Sequence, residues 1–124
     1  NDPKYIVEVA KRYPKLKGII THYYWPKLDY CYEITKNVSN IYFELAALAD
    51  KEVIKKSGGI EKIKKILKKT ISDRPDKVIF GTDWPVCQIE DHLELVKSLG
   101  LSRDVKNKIL YKNSTIVYNL LSSI

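Results

Sequence analysis

The chain has 124 residues, 44% of them hydrophobic, and a formal net charge of +7, which suits one domain with a buried core. Only five glycines and five prolines occur, which excludes collagen-like and low-complexity chains, and no apolar run is long enough for a membrane-spanning helix. Because no charged and apolar leader opens the sequence, we expect a cytoplasmic protein.

The predicted elements alternate between helices and strands along the chain. Asp2 caps the first helix, Pro3 occupies its first turn, and the helical pattern stops before Pro14. Short apolar runs predict three buried strands, at residues 18–21, 40–45 and 77–81. Helical periodicity predicts further helices at residues 29–36, 60–71, 89–99 and 103–111, with a last short helix after Asn113. Residues 46–59 are expected to be a looser segment.

This alternation predicts an α/β fold with about three parallel strands, because parallel neighbours must be joined by crossovers that are usually helical. Each predicted strand is apolar along its length, as expected when helices or other layers cover both faces of a sheet. No linker divides the chain, so we expect residues 1–124 to form a single domain.

Positive charge is concentrated between Lys51 and Lys77, where ten basic residues face four acidic ones. An apolar stripe through Ile63 and Leu67, with lysines on the other side, indicates an amphipathic helix with a solvated face. Nine of its ten basic residues are lysine and it contains no aromatic residue, which serves bidentate recognition of bases or phosphates poorly. A nucleic-acid partner remains an alternative that this pattern disfavours.

The cysteines and the second histidine carry weaker signals. Cys31 and Cys87 belong to no paired cysteine motif, which indicates small, reduced, buried thiols and neither a zinc knuckle nor a redox site. His92 lies on a predicted helix away from any strand end, so we expect it to have a surface role.

Polar side chains follow the first and third predicted strands. His22 closes the first strand, and Asp83 lies just beyond Gly81 at the end of the third. The carboxyl ends of parallel strands line one crevice, so we expect these two side chains to share a pocket. Such an aspartate can bind a divalent metal and accept a proton from water, and the histidine can polarise a carbonyl or carry a proton. A capping aspartate and a hydrogen-bonded strand-end histidine are the alternatives.

Three further residues lie near the same predicted edge. Glu44 ends the second strand and is a weaker candidate, because the sequence does not show which face it occupies. Trp25 and Trp84 are candidate substrate-binding residues that would floor a pocket, and packing in the core is the alternative for both.

Four segments, taken in order, resemble the amidohydrolase-related (amidohydrolase 2) family. The most specific is Phe-Gly-Thr-Asp-Trp-Pro at residues 80–85, which is similar to the eighth-strand motif of that family. The other matching segments are residues 10–22, 40–45 and 108–113. The resemblance implies the C-terminal part of a TIM (β/α)8 barrel, since a whole barrel needs about 250 residues.

The resemblance also implies a metal-dependent hydrolase or decarboxylase that acts on a small-molecule amide, ester, lactone or carboxylate. Asp83 matches a metal ligand and general base, His22 matches a residue that contacts substrate, and the metal is expected to be zinc. The His-x-His pair and a further histidine of the family are absent from this sequence, which has only two histidines. We therefore expect activity and the metal in the complete barrel, with a chain that alone holds no metal as an open alternative.

The missing metal ligands leave a second interpretation of the sequence open. The chain would then be a non-catalytic barrel fragment that serves as an oligomerising or partner-binding domain. In either case we expect it to associate with a missing N-terminal half or with itself, since an isolated parallel sheet has unpaired edges. The chain contains no methionine, which agrees with a processed or partial protein.

Overall fold

The computed structural model describes residues 2–120, and at their centre lies a three-stranded parallel sheet. Its strands are β1 (Gly18–Ile20), β2 (Ile41–Glu44) and β3 (Val78–Ile79), and they lie side by side in chain order. Ile19 pairs with Tyr42, and Glu44 pairs with Ile79. The predicted parallel α/β arrangement is confirmed, although each strand is shorter than the apolar run that predicted it.

Helices precede, connect and follow the strands. They are α1 (Pro3–Arg12), α2 (Leu28–Thr35), α3 (Lys51–Lys56), α4 (Ile60–Asp73), α5 (Ile89–Ser98), α6 (Arg103–Asn107) and α7 (Asn113–Val117). A 3₁₀ turn at Thr21–Tyr24 follows β1, and a π-helical turn at Lys108–Lys112 joins α6 to α7. The predicted cap of α1 is present, since the Asp2 carboxylate accepts a hydrogen bond from the Lys4 N–H.

Two parts of the helix prediction were wrong. The segment expected to be loose contains α3, whose first turn is capped by Asp50 through the N–H groups of Glu52 and Val53. This helix of six residues is too short for its periodicity to be recognised in the sequence. The helix predicted at residues 103–111 is α-helical only to Asn107 and then continues as the π-helical turn, whereas the last short helix predicted after Asn113 is confirmed as α7.

The two faces of the sheet pack against different parts of the chain. Ile20, Phe43 and Val78 belong to the main hydrophobic core, which also contains buried residues of α1, α2 and α4. The opposite face, called here the inner face, carries Ile19, Tyr42, Glu44 and Ile79. There Val117 of α7 packs against Tyr42 and Ile79.

The lysine-rich helix α4 has the predicted amphipathic character. Its buried apolar residues are Ile63, Ile66, Leu67 and Ile71. Lys62 and Lys69 pair with exposed carboxylates of α2, at 3.2 Å from Asp29 and 3.9 Å from Glu33. The lysines therefore form a solvated face. Within residues 2–120 no helix has both the length and the apolar character needed to cross a bilayer.

The edges of the sheet differ. On the β3 edge, the Phe80 N–H donates to the Ile109 carbonyl at 3.0 Å, and the Asn113 side-chain amide donates to the Val78 carbonyl at 2.8 Å. The C-terminal helical segment thus covers the β3 edge. At the other end of the sheet, the N–H of Gly18 in β1 donates to the carbonyl of Asn40, which directly precedes β2, at 2.9 Å. Because successive residues of a strand direct their polar groups to alternate sides, those of Ile19 point to the outer edge of β1, which is open in that no strand of residues 2–120 pairs with it.

Cys31 and Cys87 are free and buried, as predicted. Burial raises the pKa of the Cys31 thiol to about 12 from its ordinary value of 9.0. Above pH 9.0 the unfolded chain therefore loses a proton that the native chain keeps, and the free energy of unfolding falls as pH rises toward about 12.

We expect this decline to be shallower in Cys31→Ala than in the wild type, by about 1 kcal/mol per pH unit. Urea unfolding measured at several values between pH 9 and the folded pKa of about 12 gives both slopes. Parallel slopes for the two proteins would show that the thiol is not protected by burial.

Candidate active site

Three loops meet at the carboxyl edge of the sheet, where the sequence places its candidate residues. The His22 ring, after β1, bonds to the Ala46 carbonyl, after β2, at 3.1 Å. The Ala47 N–H in turn donates to the carbonyl of Thr82, after β3, at 3.4 Å. These bonds join the three loops, so His22 and Asp83 lie at the same edge of the sheet.

His22 is held in an unusual backbone conformation. His22, Tyr23 and Tyr24 are all left-handed, with φ values of 61°, 51° and 57°. Each such residue costs roughly 1–2 kcal/mol, so other contacts must stabilise the turn. Tyr23 supplies them, since its buried ring stacks on Phe43 at 4.8 Å and its hydroxyl bonds to Thr70.

The hydrogen bond of the His22 ring determines which ring nitrogen is available to a ligand. A carbonyl oxygen only accepts, so Nδ1–H must donate to Ala46, and Nε2 is left for a ligand. The ring is half-buried. An oriented imidazole with one free nitrogen is suited to binding or polarising a substrate oxygen.

Asp83 lies at the tip of the turn after β3. It has a φ of 71°, and its carbonyl accepts from the N–H groups of Val86 and Cys87 at 2.9 and 3.2 Å. The preceding Thr82 hydroxyl accepts from the Trp84 N–H at 3.1 Å. The turn is therefore stabilised through its backbone. The Asp83 side chain is exposed and has no hydrogen-bond or ion-pair partner among residues 2–120.

The two tryptophans differ in their surroundings. Trp25 is half-buried, packs against the main core, and lines a groove of about 450 Å³ together with His22 and Thr21. Trp84 is 68% exposed. Trp25 thus combines the two predicted alternatives, core packing and a place beside the candidate histidine, whereas Trp84 does not pack in the core.

Glu44 lies on the inner face, which the sequence did not show. A Cβ atom built on Gly81 would lie 2.7 Å from Glu44 Cγ and 2.8 Å from Cδ, so the glutamate side chain lies over the segment just after β3. Only glycine leaves room for it. The residue is half-buried and ends the middle strand, between the strands that lead to His22 and Asp83.

The prediction of a surface role for His92 was wrong. Its side chain is 1% exposed, Nδ1 donates to the Gln88 carbonyl at 2.8 Å, and Nε2 accepts from the Ala49 N–H at 3.4 Å. His92 thus holds the loop after β2, whose Ala46 carbonyl orients His22. Its helical spacing to buried Leu95 and Val96 is the sequence signal that could have revealed the burial.

Residues 2–120 do not form a complete metal site. In this range no group of three or more histidine, cysteine, aspartate or glutamate side chains could hold an ion. A catalytic zinc usually has three protein ligands. The residues therefore fit at most a part of such a site, to which Asp83 could supply one oxygen.

A parallel sheet with helical crossovers and polar side chains at its carboxyl edge is typical of a TIM-barrel enzyme, of which three strands form a part. The chain matches the family model described as Amidohydrolase over residues 1–120, and it belongs to that family. The predicted family and fold class are confirmed.

Individual relatives agree with this assignment. An L-rhamnono-γ-lactonase from Scheffersomyces stipitis is 28% identical, and the match covers 94% of this chain and 45% of the lactonase. An uncharacterized TIM-barrel protein from Bordetella bronchiseptica has a TM-score of 0.76 at 20% identity, covering 97% of this chain and 40% of that one. An amidohydrolase from Burkholderia multivorans has a TM-score of 0.72 at 17% identity, covering 92% and 48%. The chain thus spans less than half the length of each.

Proposed function

We propose that the chain is the C-terminal part of a hydrolase that acts on a small molecule with an ester, lactone or amide bond. The observation that carries this proposal is the joining of the His22 and Asp83 loops at one edge of the parallel sheet. Membership of the amidohydrolase family and the match to a lactonase support it. Among these bonds we favour a lactone.

In this proposal each side chain has a distinct role. The Asp83 carboxylate accepts a proton from the attacking water, a role that suits an exposed and unpartnered base. His22 Nε2 stabilises negative charge that develops on the substrate carbonyl oxygen, while its Nδ1–H stays bonded to Ala46. Trp25 and Trp84 contact the substrate from the two loops that carry these residues.

We further propose that the complete enzyme holds a divalent metal, zinc, with Asp83 as one ligand. The remaining ligands would come from outside the described residues, because these form no group of three. The chain alone would then hold no metal. Two free thiols agree with a cytoplasmic location.

The open edge of β1 is the proposed place of contact with the rest of the barrel. Beside it lie the groove near His22 and a second groove of about 260 Å³ on α1, and Ile6 lines both. Tyr5 and Val9 of α1 line the second groove and are exposed, as is Tyr13, which follows the helix. We propose that a preceding strand and helix, supplied by the N-terminal part of the barrel, cover this surface.

The second candidate function is a non-catalytic domain that binds another copy of itself or a partner through the same surface. The incomplete metal site favours it. The open β1 edge is available to either kind of partner, because the β3 edge is already covered by the C-terminal segment.

One reconstitution experiment separates the two functions. The chain is expressed alone and together with the polypeptide encoded upstream of Asn1 or by an adjacent gene, and lactone hydrolysis, zinc content and molecular mass are measured. We expect the assembled protein to hydrolyse L-rhamnono-γ-lactone or a related lactone and to hold zinc, and the chain alone to do neither. Self-association of the chain, with no hydrolysis by any assembly, would instead support the second function.

A further inference from the structure

Glu44 carries a carboxylate to the centre of the candidate site. It ends the middle strand, it shares the inner face with Tyr42, and its side chain lies over Gly81, two residues before Asp83. This placement puts its carboxylate beside the segment that leads to Asp83. Gly81 leaves room for the side chain there, since any Cβ at that position would overlap with it.

The Glu44 carboxylate has no partner within the part of the chain that the structure describes. No hydrogen bond or ion pair joins it to residues 2–120, although the residue is half-buried. Neither carboxylate oxygen is among the buried polar atoms without a partner, so both reach solvent. They are therefore free to accept hydrogen bonds from the donors of a bound molecule.

The surrounding loops add negative charge. These loops comprise residues 21–27, 45–50 and 82–88. They contain two carboxylates, Asp50 and Asp83, and a single cation, Lys27, which is exposed and directly precedes α2. The Asp50 carboxylate is already bonded to the N–H groups that begin α3. These loops therefore offer one exposed lysine and no arginine to a carboxylated substrate, which normally binds to such cations.

Nearby cations are directed elsewhere. Lys77 lies at the opposite end of the sheet, where its ammonium donates to the Tyr42 hydroxyl at 3.3 Å. Lys56 of α3 lies over the ring of Trp25, at 5.9 Å from the centroid, and does not line the groove beside His22. Neither residue neutralises Glu44.

We propose that Glu44 is a substrate-binding residue that accepts hydrogen bonds from hydroxyl groups and so selects a neutral, hydroxylated substrate over a carboxylated one. This inference rests on the proposed hydrolase function. A carboxylate accepts strong hydrogen bonds from hydroxyl donors. It repels an anionic substrate, because like charges brought together at a binding site cost affinity.

The test uses two lactones that differ in charge at a single carbon. D-Glucono-γ-lactone is neutral, and the γ-lactone of D-glucaric acid carries a carboxylate in place of the terminal alcohol. We expect the reconstituted enzyme to favour the neutral lactone in kcat/KM. Glu44→Gln keeps the shape of the side chain, and it should reduce this preference about tenfold or more, with the zinc content unchanged.

Glu90→Gln is the matched control, because Glu90 is exposed on α5 and lies outside the three loops. It should leave the preference unchanged. A Glu44→Gln enzyme that hydrolyses both lactones in the wild-type ratio would overturn the role of Glu44 while leaving the hydrolase intact. A wild-type enzyme that hydrolyses no lactone would overturn this inference, and one that hydrolyses no lactone, ester or amide would overturn the proposed function as well.

Discussion

Asp83→Asn is expected to reduce kcat/KM for lactone hydrolysis in the reconstituted enzyme by about 10²–10⁴-fold, the usual contribution of a general base. The amide keeps the size of the side chain but cannot accept the proton of the attacking water. Since the Asp83 side chain is exposed and unpartnered within residues 2–120, thermal stability should change little. Steady-state kinetics and thermal unfolding measure the two effects separately.

Asp91→Asn provides the control, because this aspartate is exposed on the first turn of α5 and lies outside the three loops that carry the candidate residues. Zinc analysis of the Asp83→Asn enzyme adds a second readout. Loss of zinc together with activity would indicate a metal ligand, and loss of activity alone would indicate a base. If Asp83→Asn keeps most of the wild-type kcat/KM, the candidate site is wrong.

The second large effect is expected at Asn113, whose side chain closes the edge of β3. It is 2% exposed, and its amide donates to the carbonyls of Pro75 and Val78, both at 2.8 Å. Asn113→Ala removes both bonds and leaves the buried Val78 carbonyl without a donor. We expect a loss of about 2–4 kcal/mol in the free energy of unfolding, measured with urea.

Asn113→Asp should be at least as destabilising, since a carboxylate would face two carbonyl oxygens. Asn37→Ala is the control, because Asn37 is exposed, and its effect should stay within about 0.5 kcal/mol. Equal unfolding energies for Asn37→Ala and Asn113→Ala would mean that the C-terminal segment does not hold the β3 edge in solution.

Most of the secondary structure could be predicted because each element carries its own local signal. The cap at Asp2, the apolar stripe of α4 and the three apolar strands are patterns within short stretches of sequence. Helix α3 has a cap at Asp50 but no recognisable apolar stripe, since six residues complete fewer than two turns. The burial of His92 was not predicted, because the prediction considered its distance from the strand ends and not its place on a helical stripe.

The candidate site was predictable in outline only. His22 and Asp83 were found because a parallel sheet brings its carboxyl ends together, and the amidohydrolase family of the chain agrees with that arrangement. Their catalytic roles, and the substrate contacts of Trp25 and Trp84, stay predictions. The face of the sheet that Glu44 occupies could not be predicted, because it depends on the register between β2 and β3 and on the room that Gly81 leaves for the side chain.

By itself the sequence determined the alternation of helices and strands, the family, and the position of two polar residues just after strands. These properties depend on local spacing and on motifs of a few residues. Only the tertiary structure decided which nitrogen of His22 is free, that His92 is buried, and that the C-terminal segment covers one edge of the sheet while the other stays open. Each of these depends on contacts between residues far apart in the chain, which no local pattern records.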